Sequence, residues 1–543
     1  MAVYCRNNIQ SLILEQIIVM HIRLRVILKN LSINIFFCIF LFIVAALCYM
    51  NLTKGHNWGD DFSAYIMQAK SIVEGKPLDF IKTNRFTVEQ SSRPMGPIVY
   101  PWGYPVLLAP VYAIFGSNMI AFKSVSVACF LTFILVLWIA FRKYHSIFWR
   151  FLFCCLFAFN PFLIEFLNSI LSDIPFLLFS TVSIMLMGAV IIERRRLFSH
   201  VLDPVVLGAV IAIAFFIRTN GLILLITLGM TQCIMFLSNI YYRKSKNHDQ
   251  STHEKLIPVN HNIFGSLFIN LTPYLSFVIL CALWHMILPG GGSGHAPPLG
   301  MVSYRSVSEL IYYNLELPAD FFTNFPNKYI MYGATIPLVL SGVMRRWRSD
   351  FQIIIYIVLT FILYSIWPGR QGLRFLFPIL PFYFSFIITS LEKASGSNLG
   401  VRRLFYKIIY VFPIIAVISY FAYSTVQSAY INIKANRCIG DGPYMETSKD
   451  MFTYISNNVE SASTIIFFKP RLMKMMTGRK SIMINKPEEV TRGQYLCFYN
   501  KGDERDQVSI NDIKNLMAKR YIELVFKNND FKIYRVLNSS PYE

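Results

Sequence analysis

The chain has 543 residues, of which 55% are hydrophobic, 15% aromatic and only 15% charged. Soluble domains carry roughly 25% charged residues. Together with a mean hydropathy of +0.47, this excludes a soluble cytosolic enzyme, a disordered chain and a collagen-like fibre, and points to a multi-pass membrane protein. The formal charge of +21 does not mark a nucleic-acid partner. Up to residue 424 there are 33 Lys and Arg against 17 Asp and Glu, so most of the excess lies between apolar runs, and no basic stripe stands apart from them.

The chain opens with Arg6, Arg23, Arg25 and Lys29, followed by an apolar run from Leu31 to Leu52. That run is too long for a signal peptide and no small-residue cleavage site follows, so it reads as an uncleaved first span with a cytoplasmic N-terminus. Met20 is an alternative start. Further apolar runs lie at 119–141, 151–168, 174–192, 203–217, 219–240, 263–288, 330–344, 351–367, 374–391 and 405–424, giving eleven spans. The run at 103–116 is short and interrupted by proline, which places it at the outer interface. Basic clusters at 142–150, 194–196, 243–255, 345–348 and 393–407, with the N-terminus, hold 21 of the 33 basic residues. They fall on alternate loops, as the positive-inside bias requires of this assignment.

Two large outer loops follow from that topology, 53–118 and 289–329. The second contains a Gly/Pro-rich stretch that predicts a mobile loop. Residues 425–543 also lie outside. Their short alternating pieces at 464–468, 495–499, 522–526 and 531–536 read as strands, and 446–458, 470–476 and 510–520 as helices. The chain thus divides into a helical membrane module, 1–424, and a small extracytoplasmic α/β domain, 425–543. Seven cysteines between Cys38 and Cys281 sit in apolar runs as small hydrophobes. Cys438 and Cys497 could pair if their region is oxidising, and no CxxC motif suggests zinc or redox chemistry.

Acids and arginines stand out where the outer loops meet the spans. Asp60 and Asp61 follow the first span, and Tyr65, Ala69 and Val73 continue from Asp61 at helical spacing. Helix capping accounts for one aspartate there more easily than for two. Tyr100-Pro101-Trp102-Gly103-Tyr104-Pro105 reads as a turn with interfacial aromatics. Asp173 lies in a short outer turn, either as a capping residue or facing a cavity shared with Asp61. Arg218, Arg370 and Arg374 run against the topological bias. Snorkelling explains any one of them; together they suggest an anion site, since guanidinium binds phosphate through several donors.

In this order the motifs resemble the GT-C superfamily of polyprenyl-phosphate-dependent glycosyltransferases, and among them bacterial relatives of protein O-mannosyltransferases and lipid A aminoarabinose transferases. The residues that carry the resemblance are Gly59-Asp60-Asp61 with Tyr65, Ala69 and Gly75, the 100–105 segment, Ser172-Asp173, and the arginine–aromatic–proline element from Arg370 to Pro381. The family's acidic pair is often Asp-Glu, whereas here both are Asp, and Lys469-Pro470-Arg471 has no counterpart that assigns it a role. The resemblance implies a GT-C-like bundle in a bacterial inner membrane, moving a hexosyl or pentosyl group from a polyprenyl-phosphate carrier to a glycolipid, polysaccharide or protein on the extracytoplasmic face. It implies Asp61 as the base, with Asp60 orienting it and Asp173 assisting. Arg370 and Arg374, and after them Arg218, would hold the donor phosphate, with Tyr65 and Tyr104 in the substrate pocket. No cofactor is expected; a divalent cation on the two aspartates stays open, and the reading favours a reaction without one. The alternative is a transporter or flippase of lipid-linked sugars, and a further one a non-enzymatic assembly partner.

Overall fold

The computed structural model describes residues 32–93, 95–246, 263–290, 304–367, 369–396, 401–503 and 505–537. The expected basic N-terminus, most of the Gly/Pro-rich stretch and part of the 243–255 cluster lie outside the described residues. In chain order the helices are α1 (Ser32–Asn51), α2 (Asp61–Val73), α3 (Pro77–Glu89), α4 (Gly103–Phe115), α5 (Met119–Ala140), α6 (Ile147–Ala158), α7 (Pro161–Phe166), α8 (Asp173–Met187), α9 (Leu202–Ile217), α10 (Leu222–Lys246), α11 (Ile263–Ile287), α12 (Tyr304–Glu316), α13 (Lys328–Arg346), α14 (Phe351–Ile366), α15 (Leu380–Gly396) and α16 (Val401–Lys434).

Seven of these runs are long and apolar enough to cross a membrane among the described residues, and α4, α6, α9 and α14 are shorter apolar helices. The expected run 151–168 is not one span. Asn160 accepts the Leu163 N–H at 3.0 Å and caps α7, and Pro161 at its first position cannot extend α6. Another difference is at α16, which continues to Lys434, past the expected end at residue 424. At thirteen residues, α4 is too short to span. Packed against α2, α5 and α9, it buries Tyr104 and Leu108 fully.

The most deeply buried spans are Asp173–Ile192, which contains α8, and Gly372–Ser395, which covers all but the last residue of α15. Close helix approach depends on glycine at particular points. A Cβ on Gly208 would stand 2.1 Å from the Pro273 carbonyl of α11, and one on Gly342 would stand 2.2 Å from the Phe386 carbonyl of α15. Small residues permit such backbone contact in membrane bundles.

Charges separate to the two ends of the bundle. At one end Arg346 is bonded to Asp350, Ser385 and Thr389, Tyr144 to Asp350, Lys143 to Glu193, and His145 to Glu392. Asp60, Asp61, Asp173 and Arg218 lie at the opposite end, beside a C-terminal unit made of α17 (Glu446–Asn458), α18 (Pro470–Thr477), α19 (Ile510–Ala518) and five strands. These are β1 (Thr464–Ile466), β2 (Lys480–Ile482), β3 (Tyr495–Tyr499), β4 (Ile522–Lys527) and β5 (Phe531–Val536). Their order is β2-β1-β3-β5-β4; β1 runs parallel to both β2 and β3, and β5 pairs antiparallel with β3 and β4. The expected strands are present, and β2 is additional. Cys438 is exposed, Cys497 is buried in β3, and both are free thiols.

The loop between α1 and α2 is held from below by Lys123 of α5, whose fully buried Nζ donates to Thr53 O at 2.9 Å, Gly55 O at 2.6 Å and Asn168 Oδ1 at 3.2 Å. His56 fixes the same loop. Its ring stacks on Phe62 at 3.8 Å, Nδ1 meets Asn57 O at 2.8 Å, and Nε2 accepts the Ile170 N–H at 3.2 Å. Only the neutral ring, protonated at Nδ1, satisfies both contacts. Burial lowers the His56 pKa to about 4 from its ordinary 6.5. A depressed pKa contributes stability that is present above pH 6.5 and lost as pH falls through about 4, on the order of 3 kcal/mol. Thermal unfolding of the detergent-solubilised protein between pH 7.5 and pH 4 is expected to show that loss, and His56→Gln to flatten it. An unchanged slope in the variant would remove His56 as its source.

Candidate active site

Asp61 is the first residue of α2, and the short loop behind it is pinned by Lys123 and His56. Its Oδ1 accepts a hydrogen bond from the Tyr100 hydroxyl at 2.5 Å. Tyr100 lies in the proline-bounded turn before α4, and its backbone is tied to Gln68 of α2 through Tyr100 N–H to Gln68 Oε1 (3.2 Å) and Gln68 Nε2 to Tyr100 O (3.0 Å). Two turns of α2 thus hold the turn that delivers the hydroxyl. Tyr65, one helical turn after Asp61, packs against Tyr100 and bonds Ser172 Oγ at 3.1 Å.

Asp173 begins α8, and its carboxylate is 2% exposed. It is ion-paired with Arg218, the extended residue that ends α9. Arg218 also lies between the Phe176 and Phe375 rings. The pair places Asp173 as the partner of an arginine rather than as a free acid. Arg374 rides on a 3-10 turn, Gly372–Ile379, which begins at Gly372 with φ +69 and a 2.9 Å bond from its N–H to Tyr313 Oη. A side chain is disfavoured at that φ, so glycine suits the entry to the turn. Arg374 donates to Gln371 Oε1 and, among the described residues, has no acidic partner.

These groups line one cavity of about 190 Å³, whose walls include Asp61, Tyr65, Tyr100, Asp173, Arg218 and Arg374. Asn220, Tyr364 and Gln371 line it as well. Five of the residues expected from the sequence therefore converge, from α2, α8, the end of α9 and the 372–379 turn. Three do not. Arg370 is 60% exposed, 3.8 Å from Glu309 and stacked over Tyr313, outside the cavity wall. Tyr104 is fully buried and meets Tyr65 edge-on, beneath the cavity floor.

Asp60 points the other way. Its Oδ1 accepts the N–H groups of Arg471 (2.9 Å) and Leu472 (3.4 Å), and its Oδ2 lies 3.6 Å from the Arg471 guanidinium. The N-cap residue of α18, Lys469, makes no side-chain cap bond, and Asp60 supplies that cap from the helical module. Asp60 makes no side-chain cap bond on α2, where capping was expected, and caps α18 instead. Burial raises the Asp60 carboxyl to about 6, against the opposing pull of Arg471. The aspartates at 60 and 61 do not present two carboxylates to one cation. Among the described residues no group of three His, Cys, Asp or Glu is arranged to hold a metal.

Sequence reading missed Tyr100, Asn220, Tyr364 and Arg471. Tyr100 was legible only as a turn aromatic. Arg471 lies 410 positions after Asp61 along the chain, and no local pattern links the two.

The architecture is that of the membrane GT-C fold, matching the expected bundle with its small sheet. Superposed on ArnT from Cupriavidus metallidurans in the apo state, it gives a TM-score of 0.57 at 11% identity, over 92% of this chain and 98% of that one. Against the same protein bound to undecaprenyl phosphate, the TM-score is 0.57 at 12% identity, over 93% and 98%. No protein-family model matches the sequence, and comparison with curated proteins returns no match.

Asp60→Ala is expected to leave the buried Arg471 charge without its carboxylate, costing about 3 kcal/mol. Limited proteolysis between α16 and α17 should then run faster, while Asp61→Ala leaves the digestion rate unchanged. Equal rates in the two variants would contradict the opposite roles of these neighbours.

Proposed function

We propose that this chain is a glycosyltransferase that takes a sugar from a polyprenyl-phosphate carrier to an acceptor on the extracytoplasmic face of a bacterial inner membrane. The observation that carries it is one cavity at the end of a membrane bundle, with the Asp61 carboxylate in its wall and with Arg374, whose guanidinium has no acidic partner among the described residues. The segregation of basic clusters to the opposite end supports the orientation through the positive-inside bias. The ArnT structure with undecaprenyl phosphate supports a lipid-phosphate donor.

The chemistry follows from what each group can do. Tyr100 donates to one oxygen of Asp61 and leaves the other to accept a proton from the acceptor hydroxyl. The deprotonated oxygen attacks the anomeric carbon as the bond from that carbon to the phosphate oxygen breaks, and the configuration inverts. Charge develops on the departing phosphate, where Arg374 offers one guanidinium and Arg218 another held in place by Asp173. Leu171, Ile217, Leu363 and Trp367 line the cavity beside its charged groups, which suits a carrier whose tail stays in lipid. The sugar is a hexose or pentose, and the acceptor is a glycolipid, polysaccharide or protein.

The test compares membrane lipids and envelope glycans of cells with and without the gene by mass spectrometry. One glycan is expected to lose a sugar while its lipid-phosphate donor accumulates. Asp61→Asn should fail to restore it, with transfer reduced roughly 10²–10⁴-fold as for loss of a general base, at normal membrane abundance. Arg374→Gln is expected to cut kcat/KM for the donor by about 10–100-fold, the worth of one charge-assisted contact, and Arg370→Gln to change it little. Full complementation by Asp61→Asn would exclude the base assignment.

A further inference from the structure

One buried side chain of the C-terminal unit reaches the residues that hold Asp61. Arg471 is fully buried although it carries a charge. Its Nε donates to Asn84 Oδ1 of α3 at 3.1 Å, its Nη2 to Pro97 O at 2.7 Å, and its Nη1 to the Tyr100 hydroxyl oxygen at 3.3 Å. That same hydroxyl donates to Asp61. A continuous chain of bonds therefore runs from the guanidinium through the phenol to the cavity carboxylate. The Arg471 side chain reaches into the 61–100 segment between α3, the turn before Tyr100 and Asp60, and all of its donors are directed at the helical module.

We propose that Arg471 is a positioning residue for Asp61, acting through Tyr100, so that the small α/β unit completes a site which the helices alone leave unfinished. This rests on the reading of Asp61 as the base. A donor bond onto the phenol oxygen polarises its O–H and strengthens the bond it gives to a carboxylate. Without Arg471, Tyr100 becomes a weaker donor to Asp61, which favours the protonated form of that carboxyl. The charged and titratable groups around it are Asp60 and Tyr65 from its own segment, Tyr100 from the turn, Lys469 and Arg471 from the α/β unit, and Asp173, Arg218 and Arg374 across the cavity.

The experiment needs no sugar donor, so it stands or falls separately from the transferase assay. Full-length protein in detergent is treated with dicyclohexylcarbodiimide, which modifies protonated carboxyls, across pH 4 to 9. Peptide mass spectrometry then follows labelling at Asp61, with exposed Glu74 and Asp79 as internal references. Arg471→Gln is expected to move the Asp61 labelling midpoint up by about one pH unit, and Tyr100→Phe to move it similarly. The references should stay in place, and Arg471→Lys should fall between wild type and Arg471→Gln. The double variant should move it no further than the larger single one, because the two residues act in series. An unmoved midpoint in folded Arg471→Gln overturns the proposal, and so do additive shifts, which would put Arg471 outside the Tyr100 route. If Arg471→Gln does not fold, Tyr100→Phe and Arg471→Lys carry the same decision.

Discussion

A carboxylate removed from water must be given a cation or a set of N–H groups, and positions 60 and 61 impose that demand twice in succession. The structure meets it by sending the neighbours in opposite directions. Asp60 takes the backbone of α18 and the Arg471 charge. Asp61 takes a phenol bond and stands in the cavity wall. Were both to face the cavity, like charge would drive one to protonate. Were both buried, no carboxylate would face the cavity. The contact between the helical module and the α/β unit is thus tied to the residue next to the one in the cavity wall.

The other side of the cavity depends on the depth of packing. The two most buried apolar runs begin at Asp173 and Gly372, so the acid that holds Arg218 and the turn that carries Arg374 are fixed to the most deeply packed part of the bundle. More peripheral spans, such as Ile409–Lys434, are largely lipid-facing. In the proposed reaction the phosphate would sit on these packed elements, which suits electrostatic stabilisation that has to be in place before charge develops. Asp61 is carried differently, on a short helix whose preceding loop is tied by Lys123 and His56.

Much of this was legible in the chain. Apolar length and the alternation of basic loops mark the bundle because both respond to the bilayer, which acts on each segment separately. The short strands and helices after residue 445 show as local periodicity. Asp61, Asp173, Arg218 and Arg374 stood out because a charge at the end of an apolar run needs a reason. The break at Asn160-Pro161 was also written in the sequence, but hydropathy alone joined the two pieces into one run.

What the sequence by itself determined is therefore the membrane class, the order of elements and the set of charges at one end. Which of those charges face each other was decided only by tertiary structure. Arg370 and Arg374 are four residues apart, yet a turn that starts at Gly372 puts one in the cavity and the other beside Glu309. Asp60 and Asp61 are adjacent, yet one belongs to the α/β unit and the other to the site. The physical reason is that a side chain's partner depends on direction and burial, which are set by packing between distant segments. Arg471 reaches Tyr100 across 371 positions of chain, and only the folded protein brings the two together.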